Sequence, residues 1–175
     1  MKRSIGFWQL VGFFTVSALG TLLHFLYDWT GSTLAALVSG VNESTWEHMK
    51  LLFFPLLLFA IVEYFLVGKD YDNFWCIKLK GTLFGLLLIP TIFYTLNGIF
   101  GKTPDWINIT IFFISVAGAF IYESKQFDTD SVKCKNKNIV FAIWVLTGVA
   151  FILFTFYPPS IPLFKDPIDG SFGIK

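Results

Sequence analysis

The sequence predicts an all-α, polytopic integral membrane helix bundle, and three observations predict it. Of its 175 residues 55% are hydrophobic and only 14% charged, where a soluble domain carries about a quarter charged residues. Five apolar runs meet or approach the roughly 20 residues that cross a bilayer as helix. Twenty-two phenylalanines are more than the interior of a small water-soluble domain could hide. The net charge of +1 implies no nucleic-acid partner; the partner it implies is the lipid bilayer.

The first span is residues 6–27. Met1-Lys2-Arg3 before it looks like the basic start of a signal peptide. The run is 22 residues long, however, and the chain stays hydrophobic as far as Tyr157, so it reads as a retained helix. The second span is about 45–67. The third, about 81–100, contains Pro90, which removes one backbone hydrogen bond and predicts a kink. The fourth, 106–122, is the shortest. The fifth, 138–157, stops at Pro158-Pro159. Lipid leaves no backbone group unsatisfied, so the spans are helices or barrel strands, and continuous runs without strict alternation exclude strands. Residues 1–157 thus form the bundle and 158–175 a proline-rich extracytoplasmic tail.

Ten small and apolar residues, Ser32 to Val41, lie between the first two spans. They are too few to cross, so a short interfacial or re-entrant helix is expected on the outer side, with Gly31 and Gly40 turning its ends.

Basic residues set the orientation. Lys2, Arg3, Lys69, Lys78, Lys80, Lys125, Lys133, Lys135 and Lys137 fall on one side, and Lys50, Lys102, Lys165 and Lys175 on the other. Nine against four puts the N-terminus in the cytoplasm and, after five spans, the C-terminus outside, in a cell (plasma) membrane. Trp29, Trp46 and Trp106 mark outer helix ends and Trp8 and Trp75 inner ones, as in an interfacial belt; Trp144 is deeper and packs between helices. Cys76 and Cys134 then face the cytoplasm in separate loops, as reduced thiols with no disulfide and no metal motif.

Functional groups are densest around the start of the second span. Asn42, Glu43, Trp46, Glu47, His48 and Lys50 follow one another there, and His24 and Asp28 end the first span in the same outer layer. His24 and Asp28 are four apart and share a helical face, as do Glu43 and Glu47 if the helix begins that early. Two histidines with carboxylates suit a ligand or proton site; with His24, Glu47 and His48 as ligands they would suit zinc or iron. The same residues also have a purely structural reading. Ser44 to Glu47 is a capping-box pattern, acidic residues favour a first helical turn, and His24 can bond a neighbouring helix. Glu63 lies sixteen residues beyond Glu47, about 24 Å along the axis. It is an inner-side candidate, for a gate or a proton, or a partner of Lys69. Asn97 is expected to join the outer cluster or to cap its own helix.

The tail carries Ile161, Leu163, Phe164, Ile168 and Phe172 among four prolines. A disordered tail would be more polar, so it is expected to fold back over the outer mouth of the bundle, or else to lie extended along the interface.

Val41-Asn42-Glu43-Ser44-Thr45-Trp46-Glu47-His48-Met49-Lys50-Leu51-Leu52-Phe53-Phe54-Pro55, preceded by His24-Phe25-Leu26-Tyr27-Asp28-Trp29 and followed far downstream by Tyr157-Pro158-Pro159, resembles a small uncharacterised multispanning membrane-protein family of clostridia and related bacteria. The resemblance covers nearly the whole chain. It implies a bacterial membrane protein and carries no activity. Phosphate loops, Cys-x-x-Cys pairs, HExxH and serine elbows are absent from the sequence. Three functions stay open: binding or transport of a small polar solute or ion through an outward-facing pocket, a membrane-embedded metal-dependent enzyme, and a structural or assembly subunit. Five short spans are few for a solitary transporter, so a homo-oligomer or a membrane partner subunit is also expected.

Overall fold

The computed structural model describes residues 5–129 and 132–174. Lys2, Arg3 and Lys175 of the charge count lie outside the described residues. Six α-helices follow in order: α1 Ile5–Thr30, α2 Thr33–Ala36, α3 Thr45–Leu66, α4 Phe74–Phe100, α5 Asp105–Thr129 and α6 Lys137–Phe156. Short 3-10 turns cover Gly68–Asp70 and Pro162–Phe164. Among the described residues no strand forms, only an isolated bridge between Lys165 and Phe172. The five long helices are all long and apolar enough to cross a membrane.

α3 is the central helix, with half of its apolar window buried inside the protein. It packs on α1, α4 and α6, and α4 and α5 form a long antiparallel pair. Leu52, Phe53, Leu56 and Phe59 of α3 meet Val16 of α1, Leu86 of α4, Val116 and Phe120 of α5 and Trp144 and Phe151 of α6 in one core. Trp144 is buried between helices, as its depth in the sequence predicts. Away from this core, α1 exposes Phe7, Leu10 and Phe14, and α6 exposes Phe141 and Leu146. Such apolar stripes on both flanks suit acyl chains rather than water.

Close approach depends on glycine at Gly20. A Cβ there would lie 2.8 Å from the Leu51 carbonyl and 2.4 Å from the Phe112 ring. Only a residue without one lets α1 lie this close to α3 and α5 at this end.

Two span boundaries differ from those expected. α4 begins at Phe74 instead of residue 81, and α5 runs to Thr129 instead of 122. Charges at Lys78 and Glu123 break the apolar runs, yet the two side chains pair with each other inside the bundle, so neither helix ends where its hydropathy falls. Pro90 and also Pro55 lie inside continuous helices.

The cysteines require a correction. Cys76 and Cys134 form a disulfide with a Cα–Cα separation of 5.8 Å. The two cysteines are remote in sequence, but α5 returns the chain to the start of α4, and the bond ties the α5–α6 connection there.

Candidate functional site

The C-terminal end of α1, the N-terminus of α3 and the C-terminus of α6 meet at one end of the bundle. Helix α3 starts at an N-cap, Ser44, whose hydroxyl accepts from the Glu47 N–H at 3.4 Å. Only half of a capping box forms. The Ser44 N–H goes to Asn42 Oδ1 at 2.9 Å, and the Glu47 carboxylate turns elsewhere. That choice divides the predicted cluster in two.

One half is open. Glu43, in the loop before α3, stands between the two histidines. Its Oε1 lies 3.5 Å from His24 Nε2 and its Oε2 lies 3.6 Å from His48 Nε2. The rings are 5.6 Å apart between centroids, and His48 Nδ1 contacts the Ser44 carbonyl at 3.0 Å. The Glu43 side chain is 38% exposed. Beside the histidines is a cavity of about 150 Å³ lined by Gly20, Thr21, His24, His48 and the rings of Phe112 and Phe113. On the other side of His48, a space of about 20 Å³ is bordered by Glu43, Thr45 and Asn108, enough for one water. Asn108 Oδ1 is buried and without a hydrogen-bond partner.

The other half is closed. Lys50 Nζ lies 2.5 Å from Glu47 Oε2 and donates to the Ala36 carbonyl at 2.9 Å and to Thr155 Oγ1 at 2.8 Å. An ammonium has three N–H donors, and all three are used. Thr155 Oγ1 donates to Glu47 Oε1 at 2.9 Å, and the Val41 N–H donates to Glu47 Oε2 at 3.3 Å. Lys50 is fully buried and Glu47 nearly so. This clamp joins α2, α3 and α6, and it uses every N–H of the ammonium and three of the roughly four acceptor sites of the carboxylate. Glu47 and Lys50, both candidates for the ligand site, are thus engaged with each other and with Thr155.

The remaining candidates also separate. Asp28 is exposed beyond the histidines. Trp46 packs at a tilt against Phe151 and Phe164, with ring centroids 4.6 and 4.8 Å apart, whereas Trp29 and Trp106 remain exposed at the same end. Asn42 Nδ2 donates to the Gly173 carbonyl at 2.9 Å. Asn97 stays at the end of its own helix, where Nδ2 donates to the Phe93 carbonyl and Oδ1 accepts from the Thr103 N–H just beyond α4. The metal set His24, Glu47 and His48 does not converge, because Glu47 is held by Lys50. Among the described residues, no group of three or more His, Cys, Asp or Glu is placed to hold a metal ion.

The tail folds back on this end. Phe164 is buried against Trp46 and Phe154. Asp166, also buried, accepts from the Glu43 N–H, and the Ile174 N–H donates to the Thr155 carbonyl. Ile161 and Ile168 stay exposed. The expected interfacial helix is the single turn α2, with Leu34 exposed and Ala36 buried; Ser39 Oγ donates to the Leu23 carbonyl and pins it to α1.

The opposite end holds a cluster that sequence reasoning missed. Glu63, read as an inner gate or proton candidate or else as a partner of Lys69, lies 3.0 Å from Lys78 Nζ and accepts from Gln9 Nε2 at 2.8 Å. Lys78 Nζ is also 2.5 Å from Glu123 Oε2. All three charged groups are fully buried. In the sequence Lys78 precedes the third apolar run and Glu123 follows the fourth, so only helix packing brings them together. A larger cavity at this end, about 600 Å³, lies beside α3, α4 and α6 and is lined mainly by Leu57, Tyr64, Phe65, Trp75 and Phe141, with Lys69 and Lys137.

Residues 2–174 match a family described as a family of unknown function (DUF6512), and the chain belongs to that family. No curated protein and no solved structure matches it.

Proposed function

We propose that this chain is a membrane protein that binds a small polar solute or ion at His24, Glu43 and His48 and presents it to the cavity beside them. One observation carries the reading: Glu43 faces two imidazoles from different helices at distances longer than a charge-assisted hydrogen bond, about 2.7–2.9 Å. Its oxygens therefore keep acceptor capacity of which Glu47 has already committed the larger part. The unpartnered Asn108 Oδ1 adds a second acceptor next to the site. The tail supports the site through Asp166, which holds the Glu43 backbone.

The orientation proposed is N-terminus cytoplasmic and C-terminus outside, in the plasma membrane, so that the histidine end faces outward. Burial removes Lys50 and Lys78 from the loop count, leaving eight basic residues against three, and the asymmetry survives. A reporter fused after Ile174 that is active only in the cytoplasm would overturn it.

The binding experiment is a thermal-shift panel in nanodiscs with sodium, potassium, magnesium, ammonium, glycine and acetate. At least one should raise the Tm of the wild type, and Glu43→Gln should abolish that rise. At about 100-fold excess over Kd, binding contributes about 2.7 kcal/mol, or roughly 5–10 °C. A panel that leaves the wild type unmoved, or shifts both proteins equally, overturns the proposal.

A further inference from the structure

We propose that the Glu63–Lys78–Glu123 cluster is a proton-binding site, with an exchangeable proton on Glu123. This inference is independent of the histidine site, which lies at the other end of α3.

The argument begins with charge. Glu63 of α3, Lys78 of α4 and Glu123 of α5 are fully buried together, and Gln9 of α1 is nearly so. These are the polar side chains the four helices bring into contact here. Two carboxylates and one ammonium leave one negative charge without a counter-ion. An unpaired buried charge is strongly unfavourable, and such groups take up or release a proton instead.

Hydrogen bonding then decides which group changes. Lys78 is held as a cation, because besides the two carboxylates it has the faces of Phe120 and Phe59 at 4.8 and 5.5 Å from Nζ, and ring faces favour the charged ammonium. Glu63 has two polar partners: Gln9 Nε2 donates to Oε1, and Lys78 Nζ lies 3.0 Å from Oε2 as an ion-pair contact without hydrogen-bond geometry. Glu123 receives Lys78 on Oε2 alone, and its Oε1 is buried without a partner. Gln9 Oε1 is likewise buried without a donor. Both acids thus keep one oxygen without a hydrogen bond, but Glu123 has only Lys78 as a polar partner where Glu63 has Lys78 and Gln9, so the proton from water forms its O–H bond at Glu123 Oε1 and neutralises the cluster.

The backbone makes room for this head group. Glu123 lies over Gly81, where a Cβ would come within 2.3 Å of Glu123 Cγ and 2.6 Å of Oε1. With the proton on, Lys78 belongs chiefly to Glu63 and joins α4 to α3. With it off, Glu123 competes for the same ammonium and draws α4 toward α5. The proton thus sets which helix Lys78 holds.

The test is infrared difference spectroscopy of the full chain in nanodiscs, titrated from acid to alkaline pH. The wild type should show a protonated-carboxyl C=O stretch that disappears as pH rises. Glu123→Gln should lack this band, and so should Glu63→Gln, because either leaves one carboxylate to one ammonium. Aspartate assigns the proton: Glu123→Asp should shift the band's frequency and Glu63→Asp should leave it in place, and a band shifted by Glu63→Asp alone would overturn the assignment. Because glutamine mimics the neutral acid, Glu123→Gln should also keep the acid-pH Tm of the wild type and lose its alkaline decline, a readout that stands if an aspartate variant fails to fold. A wild type without the band at any pH overturns the proposal, as does a band that persists in Glu123→Gln. Saturable stabilisation by sodium or potassium with no band would make the cluster a cation site and would equally overturn it.

Discussion

Lys50 lies 2.5 Å from Glu47, three residues back on the same helix, and both are sealed from solvent. The ammonium reaches across to α2 through the Ala36 carbonyl and to α6 through Thr155. Removing one partner of a buried pair leaves the other charge uncompensated, at a cost of about 3–5 kcal/mol. Lys50→Met should therefore lower Tm by roughly 6–20 °C. Adding Glu47→Leu should restore part of that loss; a double variant as unstable as the sum of the single ones would refute the coupling.

Gly20 lets α1 approach the Leu51 carbonyl. Gly20→Ala should cost about 1–3 kcal/mol by overpacking. The strain falls one turn from His24, so the variant should also lose ligand response at the histidine site. Unchanged thermal unfolding would show that the helices can separate without cost.

Phe164 anchors the tail in the rings of Trp46 and Phe154. Phe→Ala in a packed site costs about 3–5 kcal/mol. The expected result for Phe164→Ala is release of the tail rather than collapse of the bundle, read as faster proteolysis after Tyr157 and a shift in tryptophan emission. Protection equal to wild type would show that Asp166 and Gly173 suffice to hold the tail.

The Cys76–Cys134 bond closes a separation of 58 residues. Loop-closure entropy gives an upper bound of about 4 kcal/mol for such a crosslink, less where the helices remain inserted when the fold opens. Cys134→Ser should lower Tm, and dithiothreitol should lower the wild type to the same value. In the proposed orientation this bond faces the cytoplasm, where disulfides are reduced unless protected. Maleimide labelling of intact cells and of opened vesicles would report both its side and its state.

Sequence alone determined the fold class, the five helices and the ring of polar residues where α3 begins. Each of these follows from local properties: run length against bilayer thickness, the N-cap at Ser44, and the absence of backbone partners in lipid. Sequence also placed His24, Glu43 and His48 in one layer. Tertiary structure decided which charges meet. Glu43 and Glu47 look equivalent four residues apart, but Glu43 precedes the helix and swings to the histidines, whereas Glu47 faces Lys50 and Thr155. Lys78 and Glu123 look like ordinary edges of apolar runs until α4 and α5 pack and remove both from water. Hydropathy scores each residue against lipid one at a time, while a buried ion pair is a property of two helices. Its register, and the partners of its last unpaired oxygen, exist only once the bundle has closed.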